Sequence, residues 1–126
     1  MDTTRLVMNS SGIALGLAGA ACLFAPDETS SALRLSAPAL LVQILGAAYL
    51  GMGMANWAAR GSMIGGIYAR PISLLNSVHF TVAAVSIAKI AFATREPSLI
   101  AISAIYGGFA VVFNLLLLGK IGGRAR

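Results

Sequence analysis

Residues 43–60 read QILGAAYLGMGMANWAAR, and this stretch decides the fold. It is 18 residues long and carries no charge until Arg60. Crossing about 30 Å of hydrocarbon takes roughly 20 apolar residues in a helix. Three glycines, a tyrosine, a tryptophan and Asn56 lie in the same stretch. Glycines let neighbouring helix backbones approach, and an amide needs a partner in a medium without water. The stretch therefore reads as a membrane helix packed against other helices, with a polar feature near its end.

The rest of the chain repeats the pattern. The sequence has 126 residues, 58% hydrophobic and 10% charged. A soluble domain carries about a quarter charged residues, because its surface faces water. Spans are predicted at about 6–25, 38–59, 71–92 and 97–118, within one transmembrane domain covering 1–126. The predicted fold is an all-α, up-down-up-down four-helix membrane bundle, since short links make successive spans antiparallel. Pro38, Pro71 and Pro97 fall in predicted first turns, where the missing N–H has no helical partner, and Ser36 is placed to cap the second span. The first apolar run is too long for the core of a signal peptide and lacks a convincing cleavage site.

Net charge is +5, but the basic residues are scattered one or two per connection and form no basic face, so nucleic acid is not an expected partner. The charges report topology instead. Arg5, Arg60, Arg70, Lys120, Arg124 and Arg126 face Asp2 alone on one side, whereas Arg34, Lys89 and Arg95 are balanced by Asp27, Glu28 and Glu96 on the other. The excess predicts both termini in the cytoplasm. Lys89 is close enough to its helix end to snorkel, and Trp57 and Tyr68 are expected at the cytoplasmic interface.

Small or polar residues recur on each span at three and four spacing. They are Asn9, Gly12, Gly16 and Gly19; Gly46, Tyr49, Gly53 and Asn56; Asn76, His79, Ala83 and Ser86; and Ser103, Gly107, Ala110 and Asn114. These faces are expected to point inward, with Leu, Ile, Val, Phe and Met outward. Gly12 and Gly16 form a small-xxx-small pair assigned to packing within the chain.

The four asparagines, one per span, all fall toward the cytoplasmic ends, with His79 a turn deeper than Asn76 and Arg60 a turn beyond Asn56. One reading is structural. Side-chain amides join the helices, each bond worth about 0.6–2 kcal/mol in a membrane. The other reading is a pocket in which Asn9, Asn56, Asn76, Asn114 and His79 orient a lipid headgroup or small anion held by Arg60 and Arg70.

No cofactor or metal is expected. His79 is the single histidine and Cys22 the single cysteine, placed near the other membrane face, whereas zinc takes three or four such ligands. A haem could use His79 alone or one from each of two protomers, but nothing else in the chain supports it. No Asp or Glu lies within a span, and there is no HExxH, paired cysteine, phosphate loop or Ser/His/Asp arrangement. The chain is read as not an enzyme; its expected partners are membrane lipids, and another copy or another membrane protein.

Certain runs resemble small bacterial four-helix inner-membrane proteins of unknown function, the DoxX-like group. They are Leu23-Phe24-Ala25-Pro26; Gln43, Gly46-Ala47, Gly51 and Asn56-Trp57-Ala58-Ala59-Arg60; and Gly66-Ile67-Tyr68-Ala69-Arg70-Pro71 with Asn76 and His79. The resemblance covers most of the chain. It implies the fold and a bacterial cytoplasmic membrane, and it lends neither a substrate nor a functional residue.

Overall fold

The computed structural model describes residues 3–61 and 69–121, and for residue 69 the backbone alone. Five helices follow in order: α1 (Thr3–Phe24), α2 (Pro26–Ala32), α3 (Ala39–Ala59), α4 (Ala69–Thr94) and α5 (Pro97–Leu117). There is no strand among the described residues. Four of the helices are long and apolar enough to cross a membrane. Large apolar side chains such as Leu17, Leu40, Met54, Val82, Phe92 and Val111 are exposed along them. Such a surface suits lipid rather than water. The fold is all-α, and the chain is a small multi-pass membrane protein. It divides into two compact units. One holds most of α1 with α2 and α3; the other holds α4 and α5.

In the first unit α1 and α3 run antiparallel, backbone against backbone. A Cβ built on Gly19 would lie 2.8 Å from the Gly46 carbonyl oxygen, and one on Gly46 would lie 2.8 Å from that of Gly19. Two turns away, a Cβ on Gly53 would lie 2.9 Å from the Gly12 carbonyl oxygen and 3.0 Å from the Gly16 nitrogen. Only glycine permits this approach on both helices. Gly16 supplies backbone alone, because a Cβ there would meet nothing within 4 Å.

The connection between the first two spans is not all loop. Pro26 interrupts α1 and starts α2 at its first position, with Asp27 and Glu28 in the first turn, where the helix dipole favours acids. The Thr29 hydroxyl donates to the Ala21 carbonyl at 3.1 Å, tying α2 to the end of α1. Pro38, expected in the first turn, is instead the N-cap of α3, which begins one residue later at Ala39; no side chain caps that end, so Ser36 does not take the predicted role.

In the second unit α4 and α5 pair antiparallel through aromatic rings. Phe80 stacks on Phe109 at 4.9 Å and on Phe113 at 5.6 Å, and meets Tyr106 edge-on at 5.3 Å. Two expectations are corrected here. Phe80, Phe113, Met8, Leu15 and Leu116 are among the most enclosed side chains, not outward-facing ones. Close packing explains it: the space enclosed between helices must be filled by side-chain volume, whatever the solvent outside. On α4 the enclosed side chains are Ser73, Asn76, Ser77, Phe80, Ala84 and Ala91, while Ser86 is exposed. The predicted stripe holds at Asn76 and drifts off the inner face toward the other end.

Candidate functional site

The predicted site residues fall at one end of each helix pair, and each pair forms its own polar cluster. On α1 and α3, Asn56 is fully buried and its amide donates to Ser11 Oγ at 3.0 Å. Ser11 is equally enclosed, and its hydroxyl donates back to the Met8 carbonyl at 3.2 Å. This chain runs beside the Gly12–Gly53 contact, where the tight approach brings a short serine within reach of the facing asparagine. On the same helix Asn9 Oδ1 is shielded from solvent and accepts no hydrogen bond from a described residue. A shielded acceptor without a donor carries a desolvation cost.

Arg60 closes α3. Its guanidinium donates to the Trp57 carbonyl at 2.6 Å and lies 4.2 Å from the centroid of the Trp57 ring. A cation at a helix C-terminus satisfies an orphan carbonyl and the negative end of the dipole, and the indole face adds a cation–π contact. Arg60 is thus engaged with its own helix end. Trp57 is about half exposed, as an interface residue should be.

On α4 and α5, Asn114 is the centre. The Ser77 hydroxyl donates to Asn114 Oδ1 at 2.9 Å, and Asn114 Nδ2 donates to Thr81 Oγ1 at 3.0 Å and to the Ala110 carbonyl at 2.8 Å. One side chain therefore bridges two turns of the facing helix. Asn76 is fully buried, and its amide donates to the Ile72 carbonyl at 2.8 Å on its own helix. His79 is half-buried, with its ring edge-on to Phe80 at 5.1 Å and tilted against Tyr106 at 5.9 Å. Arg70 is exposed in the first turn of α4. Tyr68, Arg124 and Arg126 lie outside the described residues.

Sequence reasoning placed the asparagines and missed their hydroxyl partners Ser11, Ser77 and Thr81. The signal was present: Ser10-Ser11 and Ser77 directly follow the residues already singled out. Ser77 lies about 100° round the helix from Asn76, and Ser11 about 200° from Asn9, off the chosen stripes. Chemically these clusters are neutral amides and hydroxyls, suited to holding helices together or to orienting a polar group. Among the described residues no group of three His, Cys, Asp or Glu side chains could hold a metal ion. Compared with models of known families, with curated proteins and with solved structures, the chain shows no match.

Proposed function

We propose that this protein is a structural or accessory membrane subunit, not an enzyme by itself, which works by assembling with another copy or another membrane protein. The observation that supports this most is Asn56, fully enclosed and committed to Ser11 beside a glycine-tight helix contact. Its amide is spent on cohesion. The proposed location is a bacterial cytoplasmic membrane with both termini inside, supported by the distribution of basic residues and by the resemblance to the DoxX-like group.

A second reading is a binding or transport module for a lipid or small amphiphile. It is favoured by the unspent, shielded Asn9 Oδ1 and by the exposed Arg70. One experiment separates the two. Asn9, Asn56, Asn76 and Asn114 are replaced by leucine together, and the purified protein is followed by native mass spectrometry with lipids retained. Loss of folding or of a protein partner supports the subunit reading. A well-folded variant that keeps its partners but sheds a bound lipid supports the second and defeats the first.

A further inference from the structure

We infer that the open end of the α4/α5 hairpin is a binding site for the phosphodiester headgroup of an anionic phospholipid, held by Arg70 and Lys120. The inference deepens the second reading above: it names the ligand class and replaces Arg60, which is folded onto Trp57, with Lys120.

The register of the hairpin brings the two cations together. Ser77 is hydrogen-bonded to Asn114. Arg70 precedes Ser77 by seven residues and Lys120 follows Asn114 by six, so the antiparallel pairing sets both at one level. Lys120 does not trail from a frayed end. Its N–H donates to the Leu115 carbonyl at 2.9 Å, the Gly119 N–H donates to that of Leu116 at 3.0 Å, and Gly119 has φ +66°. This paired closure pins Lys120 against the last turn of α5.

Among the described residues of the hairpin, no acid lies at this end. Glu96 is the one acid among the described residues of the hairpin, and it lies at the opposite end beside Arg95. Arg70 sits in a first turn that holds no acid, so its charge adds to the positive end of the α4 dipole. One turn further in, the Ser73 hydroxyl is enclosed at 1% exposure and has no hydrogen-bond partner among the described residues. Two exposed cations beside a helix N-terminus form a positive end, with the enclosed Ser73 hydroxyl one turn behind it. Lipid phosphates are the anions present there, and basic residues at a membrane surface recognise anionic lipids.

The test uses the full chain in nanodiscs of mixed phosphatidylglycerol and phosphatidylcholine, with bound lipid counted by native mass spectrometry. The expected result is selective retention of phosphatidylglycerol by the wild type. Arg70→Gln with Lys120→Gln should reduce that preference roughly thirty-fold, at about a tenfold change per 1.4 kcal/mol and about 1 kcal/mol per basic residue. Lys89→Gln with Arg95→Gln, at the other end, should leave it unchanged. All four side chains are exposed, and thermal melts check that both variants fold. The inference is overturned by a wild type without selectivity, by equal loss in both variants, or by displacement of the lipid with millimolar inorganic phosphate, which would mark a free-anion site. The asparagine-to-leucine test changes other side chains and also reads folding and protein partners, so the subunit reading can stand or fall separately from this inference.

Discussion

A single methyl group probes the contact between α1 and α3. On Gly46 it would sit 2.8 Å from the Gly19 carbonyl oxygen and 2.9 Å from the Cys22 Cβ, with backbone on the first side unable to yield. Gly46→Ala should lower stability by about 1–3 kcal/mol, the usual cost of overpacking. Gly16→Ala meets open space and should be neutral or gain up to about 1 kcal/mol from helix propensity. Reversible unfolding in mixed detergent reads both, and equal losses would mean that the helices do not cross at Gly46. The polar contact is tested by a double-mutant cycle. Asn56→Ala and Ser11→Ala should show coupling of about 0.6–2 kcal/mol, the range for hydrogen bonds between membrane helices. Additive effects would leave Asn56 without a clamping role.

Helix ends carry a different economy, in which backbone conformation outweighs contacts. Arg34 ends α2 at φ 52° and Arg95 ends α4 at φ 58°, both in the left-handed region that favours glycine. Each closes its helix with backbone bonds: Arg95 N–H to the Ala91 carbonyl at 2.8 Å, and Leu35 N–H to that of Ser30 at 2.9 Å. Gly119, at the end of α5, has the residue type that such a position prefers. Arg95→Gly should therefore stabilise by roughly 0.5–1 kcal/mol, the relief of side-chain strain being partly offset by a more flexible unfolded chain. Gly119→Ala should destabilise by about 1 kcal/mol. Thermal melts in detergent supply the comparison, and shifts of the same sign would contradict these end conformations.

At the scale of the whole molecule, orientation follows from charge and span number. Reporter fusions before Met1 and after Arg126 should both report the cytoplasm, and a reporter inserted between α2 and α3 should report the opposite side. Termini found on different sides would mean that one of the four long helices does not cross. The number of spans was legible in the sequence because the bilayer sets a length, and residues 43–60 meet it without a charge until the end. The glycine faces of α1 and α3 were legible for a related reason, since small residues are what membrane helices use to approach. Gly12, Gly19, Gly46 and Gly53 lie where that rule places them.

The faces of α4 and α5 were a harder reading. In water the core is apolar and the surface polar, so hydrophobic periodicity reveals which way a helix turns. In lipid both sides are apolar, and Phe80 looks the same in sequence whether it is stacked on Phe113 or exposed as Phe92 is. Each residue turns the helix by about 100°, so the step from Asn76 to Ser77 is enough to separate a residue chosen from sequence from the hydroxyl that meets Asn114. By itself the sequence determined the class, the four long apolar helices, the polar end of each helix and the glycines of one helix pair, because length, charge and side-chain size act locally. The partners of Asn56 and Asn114, the aromatic core of the second hairpin and the folding of Arg60 onto Trp57 were decided only by tertiary structure. Those depend on the rotation of one helix against another, which a uniformly apolar solvent does not write into the order of residues.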